Sequence, residues 1–258
     1  MIELEKVRQT LEELKLTTAA SYLESRLQYA AEHEMSYAAF LSDILGAELD
    51  ERNKRQTEAK IHRSHLPYRK TFDEFDFAYQ PTVDPKRVEN LRTFAFVESA
   101  SNVILLGPPG VGKSHLAAAL ALEAIQAGYT AYFVSTNHLV DDLRSAHNDN
   151  KLDVVMKKYT RPKLLVIDEM GYTPMDRQAA NLFFHLISAR YERGSVILTS
   201  NKSFANWGEL FSDGVLATAI LDRLLHHGEV MNIRGQSYRL KDKMKAGIYA
   251  VPAATVTE

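Results

Sequence analysis

The amino-acid sequence predicts an α/β fold, with a five-stranded parallel sheet flanked by helices and preceded by a small helical domain. Two observations lead to this prediction. After about residue 71, short apolar runs alternate with helical patterns, which is typical of a parallel sheet covered on both faces. Before that point, apolar residues recur at helical spacing. The five expected strands are 103–106, 131–134, 164–167, 196–199 and 230–233.

The N-terminal region is expected to form three helices. The apolar stripes are Leu4, Val7, Leu11 and Leu14 in the first helix and Tyr22, Leu23, Leu27 and Ala30 in the second. Ser36 is suited to cap a third helix, which Pro67 ends at the latest. We therefore expect a helical domain over residues 1–66, a larger domain over residues 67–245 and a flexible tail over residues 246–258.

The composition is typical of a globular protein and excludes several classes of site. Of the 258 residues, 45% are hydrophobic and 25% are charged, which is an ordinary balance. No apolar run approaches the ~20 residues that span a bilayer, and the acidic N-terminus is unlike a signal peptide. The chain has no cysteine, which excludes disulfides and Cys-ligated metals. We expect a cytoplasmic protein without a membrane partner.

The charge is close to balanced overall but uneven along the chain. The formal net charge is −2, so the whole protein lacks the positive charge that many nucleic-acid binders carry. Residues 52–70, however, have Glu58 as their one acidic residue. Their basic residues are Arg52, Lys54, Arg55, Lys60, Arg63, Arg69 and Lys70. This run is either a solvated helix face or a local contact for a polyanion.

A glycine-rich motif follows the first expected strand. It consists of Gly107, Pro108, Pro109, Gly110, Val111, Gly112, Lys113 and Ser114. The spacing is that of a phosphate-binding P-loop. A strand precedes the motif and a helix from His115 to Ala127 follows it, which is a context that a chance Gly-rich turn would lack. The glycines let backbone N–H groups surround a phosphate, and the helix N-terminus adds positive potential. We expect this motif and His115 to bind ATP, with Lys113 at the β and γ phosphates and Ser114 on Mg²⁺.

Polar residues end the third and fourth expected strands. Asp168 and Glu169 follow the third strand, where open α/β sheets bind ligands. We expect Asp168 to hold Mg²⁺ and Glu169 to act as the general base for the attacking water. Asn201 follows the fourth strand, where it can bind the γ-phosphate or that water. Two solvated acids and a turn-forming asparagine are the simpler alternatives.

A later helix is predicted to carry Arg223. An arginine that a neighbouring subunit donates to the γ-phosphate stabilises the charge of the transition state. An ion pair with Asp222 or a solvated helix face is an equally good reading of the sequence. His226 and His227 are adjacent and should point to different faces of the helix, which would make them a poor metal pair, so we interpret them as structural residues.

These motifs together resemble an AAA+ ATPase, and several segments resemble the IstB family in particular. The segments are 168–172 (DEMGY), 190–195 (RYERGS), 199–202 (TSNK), 217–227 (ATAILDRLLHH) and 235–239 (GQSYR). IstB proteins are ATPase helpers of bacterial insertion sequences and relatives of the DnaC helicase loaders. The resemblance covers roughly residues 65–245.

The resemblance implies roles for individual residues. Asn201 takes the position called sensor 1, Arg223 that of the arginine finger, and Arg239 is a candidate sensor 2 that would contact ATP. The aromatic and acidic segment 72–77 resembles the one that lies near the adenine, with packing against the sheet as its alternative. Two helices expected over 137–146 and 149–159 resemble an insertion that faces DNA in assembled AAA+ spirals.

The candidate DNA contacts in that insertion are Arg144, Lys157 and Lys158, and a solvated face is the alternative. About 25 residues follow the fifth strand, too few for the usual helical lid, so we expect a reduced or absent lid domain. This pattern resembles the lid-poor IstB and DnaC proteins.

The resemblance implies an ATPase that assembles as a spiral or ring on duplex DNA and assists a partner transposase in target selection and insertion. A DnaC-like helicase loader is the nearest alternative. A small-molecule kinase and a nucleotide-gated DNA-binding protein with negligible turnover are alternatives from other classes. The Glu169 base argues against a kinase, because a kinase must keep water out of its site.

Overall fold

The computed structural model describes residues 2–241, and the chain begins with three helices. They are α1 (Ile2–Glu13), α2 (Thr17–Glu32) and α3 (Tyr37–Arg63), as the sequence predicts. The packing divides the chain after Ala59 into two compact units. The domain limits expected at residues 66 and 245 stay predictions, and the expected tail over 246–258 lies outside the described residues.

The N-terminal unit is held together by a small apolar core and by caps at the helix ends. Ala19, Leu23 and Ile44 form the buried core. The Ser36 hydroxyl oxygen accepts a hydrogen bond from the Ala39 N–H at 3.2 Å, so it caps α3 as predicted. At the start of α2, Glu48 Oε2 accepts hydrogen bonds from the N–H groups of Thr18 at 2.7 Å and Ala19 at 3.0 Å. The carboxylate thus satisfies two N–H donors that the helix itself leaves without acceptors.

The second unit is a parallel sheet between helices, which confirms the predicted fold class. Its strands are β1 (Asn102–Leu106), β2 (Ala131–Ser135), β3 (Leu164–Met170), β4 (Ser195–Ser200) and β5 (Gly228–Asn232). The helices are α4 (Pro85–Arg92), α5 (Ala95–Glu98), α6 (Lys113–Gln126), α7 (Thr136–Asn148), α8 (Leu152–Thr160), α9 (Arg177–Arg190), α10 (Trp207–Leu210) and α11 (Gly214–Leu225). The strand order is β2-β3-β4-β1-β5, and each neighbouring pair is parallel.

Both faces of the sheet are covered because successive strand residues point to opposite sides. In β1, Val103 and Leu105 belong to one apolar core, whereas Ile104 and Leu106 belong to the other. The first core also contains the apolar side of α6, and the second contains those of α7, α9 and α11. Burial on two faces explains why these strands are continuous apolar runs in the sequence.

The carboxyl ends of β1, β3 and β4 lie side by side in the sheet, which brings the P-loop, Asp168 and Asn201 to one edge. Between β2 and β3, α7 and α8 confirm the two helices predicted there. After β5, residues 233–241 contain a single 3-10 turn, Tyr238–Leu240, and no lid of several helices lies within that stretch. None of the helices in residues 2–241 is long and apolar enough to cross a membrane.

Candidate nucleotide-binding site

The P-loop backbone has a conformation that requires glycine. Gly107 has φ +151° and Gly112 has φ +98°, in the region that side chains avoid. A Cβ atom on Gly107 would lie 2.1 Å from the Ile233 carbonyl oxygen, and one on Gly112 would lie 2.5 Å from the Phe75 ring. These close approaches fix the loop between β5 and the 72–77 segment. Residues 109–114 of the loop line an open cavity at the N-terminus of α6, where a phosphate site is expected.

Lys113 is buried inside this loop. Its Nζ donates hydrogen bonds to the carbonyl oxygens of Gly107 at 2.7 Å and Pro108 at 2.8 Å. Burial lowers the pKa of Lys113 to about 8, although the neighbouring Asp168 carboxylate acts in the opposite direction. A lysine that burial destabilises in its charged form is well suited to receive an anionic ligand.

Ser114 and Asp168 meet at the base of the cavity. The Ser114 hydroxyl donates to Asp168 Oδ1 at 2.8 Å. The Thr136 hydroxyl donates to the Asp168 carbonyl oxygen at 2.9 Å, which fixes the end of β3 to the start of α7. Mg²⁺ prefers oxygen ligands, and it is usually bound in ATPases by one or two protein oxygens together with phosphates. The hydroxyl and carboxylate oxygens of Ser114 and Asp168 therefore fit a Mg²⁺ site.

Glu169 and Asn201 line the same cavity. Glu169 is exposed, whereas Asp168 beside it is 7% exposed, so the two carboxylates have different environments. Glu169 has a left-handed backbone, with φ +64°. The Asn201 Oδ1 atom is buried and has no hydrogen-bond partner within residues 2–241. A buried polar atom without a partner is costly and is common at ligand sites.

The cavity has a volume of about 470 Å³, within the usual range for ligand sites. His115 and Arg239 also line it. His115 Nε2 lies 2.7 Å from the Thr71 carbonyl oxygen, and its ring meets the Phe75 ring edge-on with centroids 5.4 Å apart. Arg239 is exposed at the rim. The candidate P-loop residues other than Gly107 and Pro108 also line the cavity.

The 72–77 segment forms one wall of the cavity and also packs in the core. Phe72 and Phe75 are buried among core residues. Packing, the alternative to a place near the adenine, is therefore part of the role of this segment. Asp76 pairs with Lys241 at 2.5 Å, and the Tyr79 ring meets the Tyr238 ring edge-on at 5.3 Å. These contacts hold the residues after β5 against this wall.

Arg223 does not reach the cavity of its own chain. It lies on α11, where its Nη1 donates to the Ala219 carbonyl oxygen at 3.0 Å and its guanidinium lies 4.7 Å from the centre of the Phe184 ring. Among the described residues no carboxylate forms an ion pair with it, so the alternative pair with Asp222 is not formed. The guanidinium is half-buried and held at the surface.

The histidines after α11 are closer together than the sequence suggests. α11 ends at Leu225, so His226 and His227 do not diverge as successive helix residues would, and their ring centroids lie 4.0 Å apart. His227 Nε2 lies 3.7 Å from Glu192 Oε1, and His226 Nδ1 lies 2.6 Å from the Tyr191 hydroxyl. The expected divergence is therefore wrong.

The candidate DNA contacts differ in their local surroundings. Arg144 pairs with Asp176 at 2.6 Å, and Lys158 pairs with Asp142 at 2.6 Å. Lys157 is exposed on α8. The structure therefore leaves Lys157 as the candidate whose charge no carboxylate within residues 2–241 neutralises.

The basic run over residues 52–70 is partly neutralised by acids that lie outside it. Arg52 lies 3.9 Å from Glu48, Arg55 3.3 Å from Glu51, and Lys70 3.1 Å from Glu74. Lys60 donates to the Gly128 carbonyl oxygen at 2.8 Å. The structure therefore leaves less unpaired positive charge in this run than a count along the sequence suggests.

Sequence reasoning missed several residues at the cavity. Tyr68 and Gln80 line it, and no motif in the sequence singles them out. Tyr172 and Tyr238 also line it; they lie in the segments 168–172 and 235–239 that resemble the IstB family, but the resemblance implies no role for them. Burial raises the pKa of the Tyr68 hydroxyl, and the Asp168 charge raises it further. Thr199 also lines the cavity and could have been found from its position before Asn201 at the end of a buried strand.

Comparison with known proteins agrees with this geometry. The family model described as IstB-like ATP binding protein matches residues 9–246. A Pseudomonas aeruginosa protein named for ATP binding and for insertion sequence IS21 is 48% identical over 92% of this chain and 90% of its own. A Geobacillus stearothermophilus counterpart from insertion sequence IS5376 is 45% identical over 93% of this chain and 95% of its own.

Solved structures support the fold. The replication initiator DnaA, bound to AMPPCP and single-stranded DNA, superposes with a TM-score of 0.53 at 18% identity. The match covers 73% of this chain and 58% of that chain, and at this identity it bears on the fold alone. With the family model matching most of its length and these close relatives, the chain belongs to the family of IstB-like ATP-binding proteins and has the AAA+ P-loop fold.

Proposed function

We propose that this protein hydrolyses ATP, assembles with ATP on duplex DNA, and assists the transposase of its insertion sequence in target selection and insertion. The observation that carries the proposal is the convergence of Lys113, Ser114, Asp168, Glu169 and Asn201 on one cavity of about 470 Å³. A nucleotide-binding module without turnover would not need a second, exposed carboxylate beside the buried one.

Each residue has a distinct task in the proposed hydrolysis. The P-loop N–H groups and Lys113 bind the phosphates. Ser114 and Asp168 would hold Mg²⁺, which neutralises phosphate charge when it is bound. Glu169 accepts a proton from the attacking water, and Asn201 orients that water or the γ-phosphate. The exposure of Glu169 beside the cavity suits a base that must meet water.

The position of Arg223 supports a nucleotide site to which a second copy of the chain contributes this arginine. An arginine finger adds a positive charge to the γ-phosphate in the transition state, and the structure keeps Arg223 on α11, away from the cavity of its own chain. Since no carboxylate within the described residues pairs with it, its positive charge is available to a phosphate of a neighbouring subunit. Assembly into a spiral or ring would therefore switch on hydrolysis.

The insertion-sequence relatives favour DNA and a transposase as partners. Proteins 48% and 45% identical to this chain are named for insertion sequences, which favours a transposition helper over a helicase loader. DnaA, whose fold is similar, has been solved with single-stranded DNA. Lys157 on α8 is the candidate contact that an assembled spiral would repeat along the duplex. A function that uses ATP and DNA supports a location in the cytoplasm.

The proposal is tested by steady-state phosphate release with Mg²⁺ and ATP, with and without duplex DNA. We expect turnover that DNA stimulates, and a loss of at least about 100-fold in Glu169→Gln, which keeps the size of the side chain but cannot accept the proton. Glu209→Gln, an exposed position on α10 outside the cavity, is the matched control and should match wild type. Normal turnover in Glu169→Gln would remove the assigned base.

A further inference from the structure

A β-bulge lies at the end of β3, where the two candidate carboxylates stand. Ile167 pairs with Leu198 and Met170 pairs with Ser200, and the register shifts between these pairs. Asp168 and Glu169 on β3 therefore face a single residue, Thr199, on β4. A bulge of this kind places two residues opposite one and redirects the side chains that follow. Here it directs Asp168 inward while Glu169 is exposed.

The Thr199 hydroxyl connects both halves of the bulge. It donates a hydrogen bond to Asp168 Oδ1 at 2.5 Å and accepts one from the Glu169 N–H at 3.0 Å. The second bond supplies an acceptor to an N–H group that the bulge removes from the regular ladder. It also holds the left-handed backbone of Glu169, at φ +64°, which is unfavourable for a residue other than glycine.

No other hydroxyl among the described residues has this pair of bonds. Ser114 also donates to Asp168 Oδ1 but belongs to the P-loop, and Thr136 contacts the Asp168 carbonyl oxygen. Ser200, the next residue of β4, contacts the backbone of Lys202 instead. Thr199 is 1% exposed, so water cannot easily replace its hydroxyl.

We propose that Thr199 is a positioning residue that sets the geometry of the metal-binding Asp168 and the base Glu169 together through one hydroxyl group. The part of this proposal that concerns Glu169 rests on the proposed ATPase function. The effect of Thr199 on Asp168 is independent of turnover, since a hydrogen bond that orients a ligating carboxylate changes metal affinity by itself.

The test compares Thr199→Val, which keeps the shape and loses the hydroxyl, with Thr199→Ser, which keeps the hydroxyl. The first readout is binding of the non-hydrolysable nucleotide AMPPCP by calorimetry, in EDTA and across a Mg²⁺ series. In EDTA, we expect the affinity of Thr199→Val for AMPPCP to lie within about twofold of wild type, because the P-loop is intact. The Mg²⁺ concentration that gives half of the metal's effect on AMPPCP binding should be about tenfold higher than in wild type. Thr199→Ser should return to within about threefold of wild type.

The second readout is phosphate release, in which Thr199→Val should lose at least about tenfold in kcat with KM within about threefold. Thr160→Val is the matched control, because the Thr160 hydroxyl also bonds a neighbour, the Met156 carbonyl oxygen, but lies outside the cavity. A wild-type Mg²⁺ dependence in Thr199→Val, or equal impairment in Thr199→Val and Thr199→Ser, would overturn the inference. Absence of turnover in wild type would overturn the proposed function alone, since the Mg²⁺ series still decides the role of Thr199.

Discussion

Replacing Arg190 with methionine should strongly destabilise the second unit. The Arg190 side chain is 2% exposed, and burial lowers its pKa to about 10. Its Nη1 donates to the carbonyl oxygens of Tyr159 at 2.7 Å and Pro162 at 2.9 Å, and its Nη2 to those of Lys163 at 3.1 Å and Ser195 at 2.7 Å. The guanidinium thus ties the end of α8 to the starts of β3 and β4.

The magnitude follows from those four bonds. A buried acceptor that loses its donor costs about 1–3 kcal/mol, although the Lys163 carbonyl oxygen keeps a second donor, the Ser195 N–H. Removing a buried charge that no carboxylate within residues 2–241 pairs with returns part of that cost. We therefore expect Arg190→Met to lower the free energy of unfolding by about 3 kcal/mol. In a unit of this size the melting temperature should fall by about 6–12 °C.

The assay is thermal unfolding of the full chain, followed by circular dichroism. Arg193→Met is the matched control, because Arg193 is exposed in the same turn and its loss should cost at most about 0.5 kcal/mol. Arg190→Lys keeps a charge but cannot span four carbonyl groups, so it should fall between the two. If Arg190→Met and Arg193→Met melt at the same temperature, the reasoning from the four hydrogen bonds is refuted.

Two further predictions concern the N-terminal unit and DNA. Glu48→Ala removes the acceptor from the first turn of α2 and should speed amide hydrogen exchange of Thr18 and Ala19 about tenfold. Glu48→Gln keeps an oxygen acceptor and should change the exchange rates less. Equal exchange rates in the two variants would contradict this prediction. In the presence of ATP, Lys157→Glu should weaken duplex binding equally across DNA sequences and reduce the slope of log affinity against log salt concentration by about one. Fluorescence anisotropy measures the affinities, and Lys86→Glu, at an exposed position, is the control. Equal effects of the two would remove Lys157 as a contact.

The strands were predictable because burial on both faces makes them apolar throughout. The bounds of β5 were not, since Gly228 and Glu229 pair with β1 through the backbone and carry no apolar signal. Likewise, β3 continues through Asp168 and Glu169 to Met170, because the bulge allows charged residues to remain in the strand. The order of the strands depends on packing between distant segments, which no local pattern reports.

The P-loop and the residues after β3 and β4 could be placed on the sheet edge because short motifs and strand ends carry that information. The rest of the cavity could not. Asp76 and Lys241 form an ion pair across the chain, and only the folded structure brings them together. Arg144 and Lys158 looked like free positive charge in the sequence, but Asp176 and Asp142 pair with them. Charge counted along a sequence does not show such pairing.

The central claim is that the cavity hydrolyses ATP with an arginine from a neighbouring copy. The measurement that tests it most directly is phosphate release from mixtures of Arg223→Ala and Lys113→Ala subunits with Mg²⁺, ATP and duplex DNA. Each variant alone should be inactive, since one lacks the finger and the other lacks the cation that holds the phosphates. Mixing should restore activity, highest near equal amounts, because Lys113→Ala subunits donate an intact Arg223 to the intact cavity of their neighbours. Full activity of Arg223→Ala alone, or no recovery at any ratio, would contradict the account.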